Sequence, residues 1–208
     1  MQTHYFKEDS LDIEKISSLL KKGCVIAFPT ETVYGLGALI SKEEAIRDIY
    51  KLKRRSLNKP LPILVRNLED IEDLAEDIPD ELYLLAKHFW PGPLTVVLRR
   101  RKTIPLGFSC DNTIAIRIPA SDSVLKILES VKVSLVSTSA NISAFPSSQS
   151  FEEVKKDFDG KIAAIIDGGV CDLGSPSTLI TLVDDIKILR KGHITKKQIE
   201  DVLKKSIL

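Results

Sequence analysis

"CVIAFPTETVYGLG", Cys24 to Gly37, decides how the chain is read. "CVIAF" is a short apolar run of strand length, and the proline and threonines after it break the run. It follows a segment in which Leu11, Ile13, Ile16, Leu19 and Leu20 keep helical spacing, closed by Lys21, Lys22 and Gly23. Helix then buried strand is the unit of an α/β protein. "GLG" at Gly35 to Gly37 is too short for a dinucleotide fingerprint and in isolation reads as a tight turn.

The pattern repeats outward. Ser41 with Glu44 predicts a capping box opening a helix with Ala45, Ile46, Ile49 and Tyr50 on its apolar side. "LPILV" reads as strand. Acidic helices are expected over 68–77 and 80–89. "WPGPLTVVL" is a turn feeding a strand, because Pro91, Gly92 and Pro93 cannot continue a helix. "TIAIRIP" alternates as a strand, residues 121–129 form a short helix, and "KVSLVSTSAN" is a strand ending in a hydroxyl-rich loop. Ser150 with Glu153 marks a second box opening a helix to Phe158. "IAAIID", "STLITLV" and "IKILR" are further strands, and residues 195–206 form a last amphipathic helix. No long linker or repeat intervenes. The expectation is one α/β domain over residues 1–208, with a twisted mixed sheet flanked by helices and its site at the strand ends.

The chain has 208 residues, enough for a substantial core, and 43% hydrophobic with 28% charged residues is an ordinary globular balance. Formal net charge is +1, so bulk charge does not mark a nucleic-acid binder. Its distribution is uneven. Arg47 to Arg66 holds seven Lys/Arg against one acid, and Glu69 to Glu81 holds eight acids and no base. On charge alone such segregation reads first as a solvated helix end beside an acidic helix, and second as a concave basic pocket. Cys24, Cys110 and Cys171 are odd in number and far apart, without CxxC or Cys/His spacing, which argues against zinc and a disulfide framework. They read as reduced thiols. No apolar run approaches membrane-spanning length, so no membrane role and a cytoplasmic location are expected.

His4, His88 and His193 neighbour no Ser, Cys or Asp in a catalytic pattern, and neither G-x-S-x-G nor a P-loop occurs. What the sequence does offer is anion-binding groups. Lys53, Arg55 and Lys59 could neutralise a polyphosphate. Arg117 could fork onto a carboxylate or phosphate, or serve as the partner of an acid. Ser137, Thr138, Ser139 and Asn141 form a dense polar loop. Positioning and charge neutralisation without a protein nucleophile fit phosphoryl or nucleotidyl transfer.

"PTETVYGLG", "KRR" as K-x-R, "WPGPLT", "IAIRIP", "STSAN" as S-x-N and "STLI" occur in this order, and from about Leu11 to Arg190 the chain resembles the YrdC-like threonylcarbamoyl-AMP synthases. The resemblance implies formation of threonylcarbamoyl-AMP and diphosphate from L-threonine, bicarbonate and ATP. It implies Mg²⁺ carried with the nucleotide, and partner proteins that pass the product to tRNA; direct RNA contact is a separate expectation. It assigns Thr32, Arg117, Ser137 and Ser177 to threonine. It assigns Arg55, Lys59, Thr113, Ser139, Asn141, Ser147 and Arg190 to ATP, with Lys53 and Arg55 in the catalytic role and no protein metal ligand. Leu64 stands where longer members have a histidine for threonine, and Ser56 where a proline usually follows K-x-R. "SPST" replaces the more common "VEST", so that loop is expected to differ. The longer members' second domain is missing, so product handling is expected to depend on partners. The competing readings are a non-catalytic double-stranded-RNA-binding module and a diverged nucleotide-binding paralogue acting on another carbamoyl-type substrate.

Overall fold

In the computed structural model, which describes residues 2–104 and 112–208, strands and helices interleave along the chain. In order they are β1 (His4–Lys7), α1 (Ile13–Lys21), β2 (Ile26–Phe28), β3 (Gly35–Leu39), α2 (Glu43–Lys53), β4 (Ile63–Leu64), α3 (Glu69–Glu72), β5 (Ala75–Glu76), α4 (Asp80–Phe89), β6 (Leu94–Arg100), β7 (Thr113–Arg117), α5 (Asp122–Val131), β8 (Leu135–Ser139), α6 (Phe151–Phe158), β9 (Ala164–Asp167), β10 (Thr178–Thr181), β11 (Lys187–Arg190) and α7 (Lys196–Leu203). One mixed sheet runs β1-β9-β2-β3-β8-β4-β7-β6-β10-β11, with β5 paired to β6. The β1/β9, β2/β9, β4/β7 and β6/β10 pairs are parallel. The β2/β3, β3/β8, β4/β8, β6/β7 and β10/β11 pairs are antiparallel.

Helices pack on both faces. Ile16 and Leu20 of α1 meet Val124, Ile127, Leu128 and Val131 of α5 over Ile26, Phe28, Leu39 and Leu135. The other face buries Ile46 and Ile49 of α2, Leu82 and Leu85 of α4, Val154 and Phe158 of α6, and Ile199 and Leu203 of α7. Side-chain caps start four helices: Asp12 accepts from Lys15 N, Ser121 from Val124 N, Ser150 from Glu153 N, and Thr195 forms a full box with Gln198. Each such cap is worth about 1 kcal/mol.

Four expectations are corrected. Gly35 and Gly37 do not form a tight turn; they lie in β3, opposite Phe28 and Ile26. The Phe28 ring lies across both: a Cβ would come within 2.8 Å of it at Gly35 and 2.6 Å at Gly37. The glycines therefore serve close packing. Ser41 and Glu44 do not cap α2, whose N-cap is Lys42 without a side-chain bond. The helix expected over 68–77 stops at Glu72. Ala75 and Glu76 pair instead with Arg100 and Arg99, Arg101 donates to the Glu72 carbonyl, and Asp77 has a positive φ of 52°. Sheet pairing outweighs the helical preference of that segment. In the second capping box, Glu153 takes Gln149 N at 2.7 Å rather than the Ser150 amide.

Candidate active site

The two faces of β6 and β7 have different fates. Val96, Leu98, Ile114 and Ile116 point into the core. Their neighbours Thr95, Val97, Thr113, Ala115 and Arg117 face a cavity of about 420 Å³. Side chains alternate faces along a strand, so two adjacent antiparallel strands are enough to build this wall. The cavity lies along a sheet face as well as at strand ends, which extends the strand-end expectation. Tyr34, Gly35, Leu64, Ser137, Ser139, Leu179, Leu189 and Arg190 continue the lining.

Arg117 is the most enclosed cation of the cavity. Its Nε donates to Gly92 O at 3.0 Å, Nη1 to Thr32 Oγ1 at 3.0 Å and Nη2 to Glu31 Oε1 at 2.6 Å. A guanidinium carries five N–H bonds, so about two remain for a ligand. The Trp90–Pro93 turn presents the Gly92 carbonyl, and Gly92 N in turn donates to Ile118 O at 2.9 Å. Thr30 fixes the Thr32 hydroxyl. Thr30 Oγ1 donates to Val33 O at 2.7 Å, so the 2.8 Å contact between the two hydroxyls runs from Thr32 to Thr30. Thr32 is then free to accept from Arg117. Burial lowers the pKa of Arg117, and the Glu31 carboxylate opposes that shift. Both alternatives read for Arg117 thus coexist: it has an acid partner and faces the cavity.

K-x-R splits at its middle residue. α2 ends at Lys53, and Arg54 caps it in the left-handed conformation, φ 51° and ψ 41°. Arg54 N reaches Lys51 O and Arg55 N reaches Tyr50 O, which closes the last turn. Lys53 stays on the inner face of the helix while Arg55 turns into the cavity. Arg55 Nε donates to Lys59 O at 3.0 Å and Nη2 to Pro60 O at 2.9 Å. Lys59 contributes this carbonyl; its side chain is exposed and does not line the cavity.

Lys53 is buried to 1% exposure. Its ammonium donates to Ser139 O, to Asn141 O at 2.6 Å and to Asn141 Oδ1 at 3.2 Å. Burial, then Arg55, pull its pKa down to about 7. The expectation that Lys53 faces phosphates is revised: it pins the S-x-N loop from beneath. Asn141 is likewise internal, donating to Ile142 O at 3.0 Å and Phe145 O at 2.7 Å, and taking the Ser139 hydroxyl on Oδ1 at 2.5 Å. Ser139 and Ser147 reach the cavity.

At the opposite wall Arg190 donates from Nε and Nη2 to Ser177 O, at 3.1 and 2.9 Å, and from Nη2 to Ser177 Oγ at 3.1 Å. Ser177 Oγ lies 2.7 Å from Thr95 Oγ1. Burial lowers the Arg190 pKa, followed by repulsion from Arg117 and Arg55. Nine expected residues thus line one cavity: Thr32, Arg55, Thr113, Arg117, Ser137, Ser139, Ser147, Ser177 and Arg190. Lys53, Lys59 and Asn141 do not. Sequence reasoning missed Glu31, Thr30 and Thr95. Glu31 and Thr30 flank Thr32 within the quoted motif, and Thr95 follows "WPGPL".

A larger cleft, about 1050 Å³, opens behind the same segment and shares Thr30 with the first. Its charged residues are mainly acidic, with Glu8, Asp9, Glu31, Asp122, Asp167 and Asp172 against Lys7 and Lys126. Among the described residues no group of three or more His, Cys, Asp or Glu is placed to hold a metal, and no helix is long and apolar enough to cross a membrane. Cys24 and Cys171 are free thiols; Cys110 lies outside the described residues.

The Sua5/YciO/YrdC family model, described as "Telomere recombination", matches residues 18–192. The chain is 42% identical over 189 residues to a threonylcarbamoyl-AMP synthase of Pyrococcus abyssi, covering 90% of this chain and 56% of that protein. It is 39% identical over 194 residues to the protein of the same name in Bacillus subtilis, covering 92% of this chain and 56% of the relative. The chain therefore spans about half the length of these curated relatives. The crystal structure of Pyrococcus abyssi Sua5 complexed with L-threonine superposes with a TM-score of 0.94 at 38% identity, covering 100% of this chain and 62% of that one.

Proposed function

The chain belongs to the Sua5/YciO/YrdC family, and from that membership we propose that it is a threonylcarbamoyl-AMP synthase. Residues 1–208 act as one YrdC-like catalytic unit in this reading. L-threonine and bicarbonate give a carbamate and water. A carbamate oxygen attacks the α-phosphorus of ATP, the bond to the bridging oxygen breaks, and diphosphate leaves. The observation that carries the reading is the convergence of Arg55, Arg117 and Arg190 with five hydroxyl side chains, Thr32, Ser137, Ser139, Ser147 and Ser177, on one cavity. These groups bind and orient anions; the nucleophile belongs to the substrate.

Arg117 holds the threonine carboxylate with its two remaining N–H bonds, beside Thr32, Ser137 and Ser177. Leu64, where longer members carry histidine, offers the amino acid an apolar wall. Arg55, Thr113, Ser139, Ser147 and Arg190 take the nucleotide, with the guanidiniums on the phosphates. Lys53 and Asn141 act by holding the loop that carries Ser139, and Lys59 by anchoring Arg55 through its carbonyl. The lining donors suit phosphate oxygens; Mg²⁺ carried with ATP would supply further neutralisation of phosphate charge. Partner proteins then transfer the product to tRNA in the cytoplasm.

The test follows AMP-adduct formation and diphosphate release by the purified chain, omitting one substrate at a time. Release that requires both threonine and bicarbonate is expected, with magnesium dependence read by chelation. Turnover indifferent to threonine removes the assignment.

A further inference from the structure

Glu31 lines the larger cleft and not the cavity, yet its carboxylate reaches the Arg117 guanidinium that faces the cavity. Its carboxylate and the Arg117 guanidinium are 2.6 Å apart, with side chains only 10% and 9% exposed. Yet Oε2 is buried without a hydrogen-bond partner in the structure. A counter-ion kept only to hold Arg117 would lay both oxygens on the guanidinium fork. A half-satisfied buried carboxylate is costly, and its presence needs a reason beyond packing. The backbone holds it there: Leu173 N donates to Glu31 O at 2.9 Å, and the Thr30 hydroxyl closes the turn around it.

The three guanidiniums are not equivalent. Arg55 rests on the carbonyls of Lys59 and Pro60, and Arg190 on the carbonyl and hydroxyl of Ser177. Among the described residues, Glu31 is the one carboxylate paired with any of the three. The cavity is therefore divided. Arg117 and Glu31 together carry no net charge, whereas Arg55 and Arg190 carry two positive charges. A polyphosphate is drawn to the second end. The first suits a zwitterion, which gains hydrogen bonds from Arg117 without needing excess charge.

We propose that Glu31 is a specificity-determining residue: it cancels the charge of Arg117, reserving that guanidinium for a zwitterionic amino acid and keeping inorganic anions off its seat. Bicarbonate and diphosphate, both present during the proposed reaction, are the anions to be excluded. The inference rests on reading the cavity as a joint amino-acid and ATP site.

Glu31→Gln keeps the volume and an acceptor for Nη2 but removes the charge. Binding of inorganic diphosphate and of L-threonine is measured calorimetrically on the full chain. In Glu31→Gln, diphosphate affinity rises on the order of tenfold and diphosphate now competes with L-threonine. Threonine affinity stays equal or falls. Glu31→Asp, which keeps the charge, retains the wild-type ratio of the two affinities and guards against a folding defect in the first variant. Unchanged diphosphate binding, or parallel weakening of both ligands, overturns the proposal, as does a Glu31→Asp ratio shifted like that of Glu31→Gln. A wild-type chain that binds no L-threonine overturns the parent functional reading. The diphosphate ratio between wild type and Glu31→Gln still decides the charge-cancelling role.

Discussion

Two cavities meet along the Pro29–Thr32 segment, and they differ in sign. The smaller holds Arg55, Arg117 and Arg190; the larger is edged by Glu8, Asp9, Asp122, Asp167 and Asp172. Thr30 lines both. In the larger, polar groups bond one another: Ser123 donates to Glu8 at 2.5 Å, and Ser121 to Pro29 O at 3.2 Å. In the smaller, Arg117 keeps N–H bonds in reserve. Unused donors converging on one space, not volume, mark the better candidate for a site. A chain of net charge +1 supports both because the two signs are segregated in space.

Arg117→Ala breaks this division most severely. It leaves the Glu31 carboxylate buried without a partner, so a stability loss of about 3–5 kcal/mol is expected. L-threonine binding should disappear. Chemical denaturation and calorimetry measure the two effects. Wild-type stability would mean that Glu31 is solvated from the acidic side and the wall does not separate the cavities.

Lys53→Met comes next. Three oxygen contacts lose their donor, with about 2–3 kcal/mol lost and weaker ATP binding as the Ser139–Asn141 loop relaxes. It also alters a pH slope. The folded pKa of Lys53, about 7, lies below the ordinary 10.5, so between those values the unfolded chain holds more protons. Stability from this group therefore rises with pH across the window and is lost as pH falls through 7. Cys171, facing the acidic cleft, has the opposite sign. Burial pushes its thiol up from 9.0 to about 11, so its contribution is full below 9 and disappears as pH rises through 11. Denaturation midpoints across this range should lose the rising component in Lys53→Met and the falling one in Cys171→Ala.

Arg55→Ala should weaken ATP binding on the order of tenfold while lowering stability by less than about 1 kcal/mol, because its acceptors are main-chain carbonyls of an exposed loop. Equal losses in both would make Arg55 a fold residue. The smallest effect belongs to Asp172→Asn on the acidic side: stability within about 0.5 kcal/mol and unchanged affinity for threonine and ATP. A marked change there would join the two cavities into one functional unit.

Much of this arrangement was legible along the chain, for physical reasons that differ by region. α1, α4, α5, α6 and α7 carry strong apolar periodicity or side-chain caps, and β6 to β10 carry uninterrupted apolar or alternating runs. β1 and β5 were not legible, because "HYFK" and "AE" become strands only by pairing with β9 and β6. The basic cluster and the polar loop were visible as compositions, and their convergence was implied only by the resemblance to the YrdC-like family. The parting of Lys53 and Arg55 was not visible: Lys53 keeps the inner face of α2, and the left-handed Arg54 after it turns Arg55 the other way. Glu31 was passed over because nothing local to "PTET" reveals a guanidinium arriving from 86 positions away.

The Phe28 ring across Gly35 and Gly37 has a consequence for how this chain can evolve. A methyl at Gly37 alone collides with the ring, and a smaller residue at Phe28 alone opens a void beneath β3. Together the two changes should cost less than the sum of each alone. The three positions form an epistatic unit with a preferred mutational order: the ring must shrink before either glycine can acquire a side chain.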